Sequence, residues 1–369
     1  MKPSSTISTI NLKIKSIVGK LAIYKYVSFM FLVMSATLMI LTIAGLFGGR
    51  TTPTTNHGLA MLVYALPFLF VGNVVMLIYW IVRKRWIWSA MPIFAILSCI
   101  PYIGTIYQFR FSSDVDASKA GFKIATYNVA MFGRETSGFK SGDILSEMKK
   151  QNVDILCLQE YSDVCGDRRN SDNYREYFPY HAYGKDDMII YSRFPISQSN
   201  TIEFGNYTNN SAMWADVIIN EKAFRVYNVH LETTGFNRTL RKVAKMELQG
   251  QTITENAIVQ AIYGNYTMGM VVRARQCKIV AEDIESCMLP VIVCGDFNDV
   301  PYSYTYHTML GNLVDGFKEC GNGFMSTYRG LKKARIDYIF HDKSLSGQTY
   351  YKEDLSYSDH HPVFMKIAL

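Results

Sequence analysis

The sequence predicts an α/β domain carried behind three membrane-spanning helices. Three observations on its 369 residues lead there. Charge is split: residues 1–110 hold ten Lys and Arg and no Asp or Glu, whereas residues 111–369 hold 28 against 31, so the net +7 belongs to the first third. That third also contains three long uncharged stretches. The remaining part alternates short apolar runs with longer helical patterns, and such alternation reads as α/β. With 49% hydrophobic and 14% aromatic residues, a disordered chain is excluded.

The uncharged stretches run over 26–49, 58–82 and 86–109, about 24 residues each. At 1.5 Å per helical residue, each crosses a hydrocarbon core of roughly 30 Å. A cleavable signal peptide fits the first poorly, because the apolar run is too long and Leu46-Phe47-Gly48-Gly49 is a poor cleavage site. Lys2, Lys13, Lys15, Lys20 and Lys25 precede the first stretch and Arg83, Lys84 and Arg85 separate the second from the third, while Arg50 stands alone between the first two. Positive loops stay cytoplasmic, so the N-terminus is expected inside and residues beyond the third stretch outside. Trp80, Trp86 and Trp88 fit an inner aromatic belt. The expected organisation is a membrane domain over 1–110, a polar linker over 111–120 and a catalytic domain over 121–369.

In that domain the expected strands are 122–128, 153–160, 187–192, 212–219, 224–231, 290–297, 335–341 and 363–368. Helices are expected over 143–151 and 271–286, the latter with Ala274, Cys277, Val280, Ala281 and Ile284 on one face. Cys157 and Cys294 fall inside apolar strands and read as buried small hydrophobes. Cys277 and Cys287 are too far apart along one helix to pair. Cys165 and Cys320 could pair in an oxidising compartment, though spacing cannot show it. No C-x-x-C pair points to zinc.

Polar groups recur at strand ends: Asn128, Glu160, His230, Asp296, Asn298, Asp337, Asp359 and His360. Taken singly, each is explained by a cap, a turn or a structural histidine. Together, strand ends converge at one sheet edge, so these groups can share a cleft. Four carboxylates there repel one another without a hard cation, and carboxylate and amide oxygens are ligands that Mg²⁺ prefers.

The motifs TYNVAMFG, DILCLQEY, YSRFPI, YNVHLE, CGDFNDVPYS, RIDYIF and SDHHPV, spread over about 122–366, resemble those of the endonuclease/exonuclease/phosphatase superfamily, the DNase-I-like metal-dependent phosphoesterases. The resemblance implies a four-layer α/β/β/α sandwich with the site at one end of its two sheets. It implies Glu160 as metal ligand with Asn128 beside it on metal or phosphate, and Asp296 and Asn298 positioning the attacking water and the phosphate. Asp359 belongs to the same polar shell. Asp337 and His360 form a carboxylate–imidazole pair, with His360 the general base. His230 donates to phosphoryl oxygens, so Asn128, His230 and Asn298 are the phosphate-binding set. Arg193 is read as structural and His361 receives no role. Mg²⁺ is the expected cofactor, with Mn²⁺ a substitute.

The family acts on lipids, nucleic acids and inositol phosphates. Residues 111–369, at net −3, lack the basic surface of a nuclease, and tethering at a bilayer favours lipid head-group phosphodiesters over nucleic acid. Arg238, Arg241, Lys242 and Lys245 form a cationic cluster that reads as a solvated helix face. The segment 235–270 is either a membrane-facing lid or a packed helical excursion. An extracytoplasmic endo- or exonuclease is the alternative, and a non-catalytic binding or sensor module on the same fold a second. No stable protein partner is implied.

Overall fold

The computed structural model describes residues 4–110, 121–130, 141–161, 168–185, 187–205, 208, 210–233, 243, 245–246, 248–249, 254–330 and 333–369. The expected linker, Cys165 and the cations Arg238, Arg241 and Lys242 lie outside them. The chain divides into two compact units, Met1–Gly48 with Met61–Pro101, and Gly49–Ala60 with Tyr102–Leu369.

The first unit is built from α1 (Ser4–Gly48), part of α2 (Pro53–Met61), α3 (Leu66–Val82), α4 (Trp86–Ser98) and the one-turn α5 (Ile100–Ile103). Ala22–Gly48, Pro53–Val82 and Trp86–Ile103 are each long and apolar enough to cross a membrane. Two buried polar side chains bond across the helices of the unit: Asn73 Nδ2 donates to Thr42 Oγ1 at 2.9 Å and Trp80 Nε1 to Ser35 Oγ at 2.9 Å. Apolar surroundings offer such groups no water, so they bond across helices. Trp80 is thus buried rather than part of a belt, while Trp86 is exposed. The third helical stretch ends at Ile103, six residues short of the expected 109. Beyond it, Tyr107–Gln108 forms a short strand, β1, paired with β11 (Gly323–Phe324).

The second unit holds two six-stranded mixed sheets. One runs β10 (Val314–Asp315), β12 (Asp337–His341), β9 (Val291–Asp296), β8 (Lys222–His230), β7 (Ser211–Ile219), β6 (Ile196–Glu203). The other runs β13 (Ser346–Lys352), β14 (Val363–Ala368), β2 (Gly121–Asn128), β3 (Ile155–Gln159), β5 (Ile189–Ser192), β4 (Tyr180–Tyr183). Each sheet has one parallel pair, β2 with β3 and β8 with β9. A parallel pair needs a crossover. Between β2 and β3 it contains α6 (Ser141–Lys150), and between β8 and β9 it contains α8 (Glu255–Ser286).

Three cores make the four layers. Phe122, Ile124, Ile155 and Cys157 meet Val226, Ile292, Cys294 and Ile339 between the sheets. Ala125, Tyr127, Leu156 and Leu158 pack on Ile144 and Met148 of α6 and Tyr174 of α7 (Arg168–Tyr177). Tyr227, Val229, Val291 and Val293 pack on Cys277 and Val280 of α8 and Met309 of α9 (Tyr304–Leu310). Alternate side chains of a strand point to opposite faces, so a sheet buried on both reads as unbroken apolar runs. The α/β/β/α sandwich follows.

Helix α8 begins sixteen residues before the expected Val271. Thr254 caps it, its hydroxyl accepting from the Ala257 amide. The added turns are uncharged after Glu255 and carry apolar residues such as Ile258 and Met268 off the Val259–Tyr266 stripe as well as on it, so periodicity marks them only weakly.

Candidate active site

The strand ends that carry polar groups meet where both parallel pairs finish. In the β10–β6 sheet the register sets His230 beside Asp296 across β8–β9, and Asp296 beside Asp337 across β9–β12. In the other sheet Asn128 pairs with Gln159, and Glu160 follows. Alternation directs them inward: Asn128, His230, Asp296 and Asp337 share parity with Ile124, Val226, Ile292 and Ile339 of the inter-sheet core. Glu160 has the opposite parity and would face α6. It lies past the end of β3 with φ of 51°, and this left-handed turn redirects it. Gly295, with φ of 142°, lets β9 approach β8, because a Cβ there would sit 1.9 Å from the Val229 carbonyl oxygen.

Asp296, Asp337 and His360 form a buried cluster whose ligand atoms lie within 4.8 Å of one another. His360 Nδ1 is 3.1 Å from Asp337 Oδ2, and its Nε2 is 3.6 Å from Asp296 Oδ2. Asn128 ties the sheets together, donating through Nδ2 to Glu160 Oε1 at 3.0 Å and to Asp296 Oδ2 at 3.1 Å. His230 Nε2 faces the same atoms, 3.8 Å from Glu160 Oε1 and 4.0 Å from Asp296 Oδ2. Asn298, at φ of 52°, donates its amide to Asp296 Oδ1 at 2.8 Å and its side chain to the Leu231 carbonyl at 2.9 Å. Asp359 stands at the rim, half-exposed, with Oδ1 4.0 Å from His360 Nε2.

The electrostatics follow from burial and crowding. Burial pushes the Asp296 carboxyl up to about 6, with Asp337 adding and His360 and His230 opposing. For His360, burial disfavours the cation, but Asp337, Asp296 and Asp359 outweigh it and push the imidazole up to about 10.

All eight residues expected at the site therefore converge. Of Gln159, Asn228, Thr327, Tyr328 and Ser358, which position them, Asn228 alone carried a sequence signal. Gln159 donates to Asn228 Oδ1 at 2.6 Å, and Asn228 to the Leu158 and Ile189 carbonyls, so a buried polar bridge joins the sheets behind the cleft. Thr327 Oγ1 accepts from the Asp337 amide, Ser358 Oγ donates to the Asn128 carbonyl, and Tyr328 packs edge-on to His360 at 5.1 Å. The rule that finds His230, a polar residue inside an apolar strand, also marks Asn228. Arg193 bonds Asp154 at the surface, away from these groups.

Among solved structures, the chain is similar to an endonuclease/exonuclease/phosphatase from Bacteroides vulgatus at 17% identity, over 68% of this chain and 100% of that one, with a TM-score of 0.49. It is similar to a family protein from Bacteroides thetaiotaomicron at 16%, over 68% and 95%, TM-score 0.47. A mannosyl-6-phosphatase of Bacteroides thetaiotaomicron VPI-5482 matches at 16%, over 67% and 100%, TM-score 0.45. No curated protein matches the chain. A domain of unknown function (DUF8431) matches residues 28–106. Residues 125–360 match the Endonuclease/Exonuclease/phosphatase family, and the chain belongs to that family of phosphoester hydrolases.

Proposed function

We propose that the chain is a membrane-anchored phosphoesterase, dependent on Mg²⁺, that acts on lipid head-group phosphodiesters from the extracytoplasmic side. One observation carries the reading: the buried Asp296–Asp337–His360 cluster, joined through Asn128 to Glu160. The donor chemistry suits a hard divalent cation. Four carboxylates, Glu160, Asp296, Asp337 and Asp359, face two imidazoles, and Asp296 is held above the usual carboxylate range by burial and Asp337. Glu160, open to solvent where Asp296 and Asp337 are buried, and with Asn128 beside it, would hold the ion. Held there, a divalent cation would supply positive charge to neutralise phosphoryl oxygens and stabilise the leaving oxygen.

The chain's own groups do the rest. His230 donates Nε2–H to a phosphoryl oxygen as negative charge builds. Asp296 and Asn298 position the attacking water and the phosphate. Asp337 holds His360 through Nδ1, leaving Nε2 to take the proton from water. His360 keeps its proton while the carboxylates stand uncompensated, so it acts as a base only once positive charge among them lowers its pKa toward neutrality.

The lysines ahead of the first apolar helix and the Arg83–Arg85 loop support an outward-facing catalytic unit. The net −3 of residues 111–369 and the adjoining apolar helices support lipid over nucleic acid. The test is a substrate panel on the full chain in nanodiscs, with phospholipid vesicles, DNA, RNA and bis-p-nitrophenyl phosphate, each with Mg²⁺ or chelator. Cleavage of nucleic acid without lipid selects a nuclease. Hydrolysis of none returns the fold to a binding or sensor role.

A further inference from the structure

We propose that the N-terminal half of α8 docks on the surface of a lipid bilayer. The proposal rests on the membrane-anchored reading above, and does not depend on which phosphoester the site hydrolyses. In the C-terminal half of α8, Met270, Arg273, Ala274, Cys277 and Val280 form one buried stripe at three- and four-residue spacing. The stripe continues toward the N-terminus as Val259, Ile262, Tyr263 and Tyr266, but burial fades: Val259 is 63% and Tyr263 49% exposed, and Met268 on the opposite flank is 67% exposed.

Charge changes at the same place. Exposed positions of the C-terminal half carry Arg275, Lys278, Glu282 and Glu285, as a solvated helix face does. Between Glu255 and Arg273 no residue is charged. A helix with a charged face in its second half and no charge on any side of its first half after Glu255 has two different surroundings.

The structure also indicates which apolar surrounding this is. Gly49–Ala60 belongs to the same compact unit as α8, and the His57 ring lies 6.5 Å from the Tyr263 ring, edge-on. Yet His57 follows closely on the connection between Gly48 and Pro53, the end of one candidate span and the start of the next. A connection that short cannot leave the bilayer surface, so Tyr263 is held at interfacial depth, where tyrosine is favoured. Helix α8 also reaches the site. Arg273, fully buried, donates Nε to Asp299 Oδ2 at 3.2 Å and Nη1 to the Glu232 carbonyl at 2.6 Å, next to Asn298 and two residues after His230. Docking would present the cleft's loops toward the membrane.

The test uses the full chain in phosphatidylcholine nanodiscs, with the photocrosslinker p-benzoyl-phenylalanine replacing Val259 or, as control, Lys278. Lipid adducts at 259 and not at 278 are expected. Absence of lipid adducts at 259 overturns the proposal, as does a chain-to-chain adduct, which would make this face an interface between copies. In parallel, the double variant Val259→Asp, Met268→Asp should bring phosphatidylcholine cleavage down ~tenfold while a soluble ester is turned over as before. Equal loss on both overturns it. Lipid adducts at 259 without phospholipid cleavage uphold docking and reject the lipid substrate.

Discussion

Breaking the buried ion pair that closes the end of the β10–β6 sheet should destabilise the catalytic unit without touching its chemistry. Arg335 and Asp315 have side chains 1% exposed each, and the guanidinium grips the carboxylate with both Nη atoms at 2.9 and 2.5 Å. Arg335 also donates to the Thr105 carbonyl at 3.2 Å and lies over the rings of Phe317 and Tyr338. In Arg335→Met the apolar packing survives, but among the described residues Asp315 keeps as side-chain partners the Tyr306 hydroxyl at 2.8 Å and the Phe317 amide at 3.0 Å. Removing one partner of a buried pair costs about 3–5 kcal/mol. Two remaining donors place this case near 3 kcal/mol, or on the order of 10 °C in melting temperature for a domain this size. The measurement is calorimetry on the full chain in nanodiscs, in a double-mutant cycle with Asp315→Leu. Arg335→Met with Asp315→Leu should recover part of the loss, because the stranded charge is gone. A melting point within 2 °C of wild type for Arg335→Met, or strict additivity in the cycle, would refute the reasoning. Turnover at 20 °C should hold, since none of these contacts reaches Asp296, Asn298 or His360.

Replacing His360 or Asp296 by Ala should lower the metal-dependent rate on the order of 10²-fold or more; near-wild-type activity in either variant removes both from the mechanism. His307 is half-buried against Tyr302 and Tyr306, and desolvation, Arg50 and Lys318 lower its pKa to about 4. A histidine depressed in the native state contributes stability above its unfolded pKa near 6.5 that is lost as pH falls toward 4, here about 3 kcal/mol. His307→Gln should therefore flatten the fall in melting temperature between pH 6.5 and 4, and an unchanged slope counts against the assignment. Gly295→Ala should abolish folding of the unit that holds the two sheets, because its Cβ would collide with the Val229 carbonyl at 1.9 Å; a folded variant by circular dichroism would mean the strands can separate there.

What was legible in the sequence depended on burial. Strands β2, β3, β5, β7, β8, β9, β12 and β14 read as apolar runs because they are interior to their sheets. The missed β4, β6 and β13 are edges, and β6 (ISQSNTIE) is mostly solvent-exposed. An edge strand gets its pairing from one neighbour and can be polar, so no hydrophobic pattern announces it. The site was legible for the converse reason: a carboxylate or imidazole ending an apolar run stands out. Its supports did not stand out, since Gln159, Thr327 and Ser358 act through contacts between segments far apart in sequence.

Register, rather than residue type, turns these polar ends into a site. Asp296 faces the inter-sheet space because it shares parity with Ile292 and Cys294. A slip of one residue in β9 would turn it toward α8 and place Gly295 among the catalytic groups. The slip is opposed at several points: only a glycine fits opposite Val229, the Gln159–Asn228 bond fixes the sheets to each other, and Asn128 spans from Glu160 to Asp296. Glu160 shows the same logic inverted. Its parity is wrong for the cleft, and a left-handed turn just past the strand corrects it. A residue at φ of 51° outside glycine or asparagine is disfavoured. At Glu160 this conformation is what brings the carboxylate to Asn128 and His230 instead of to the α6 face.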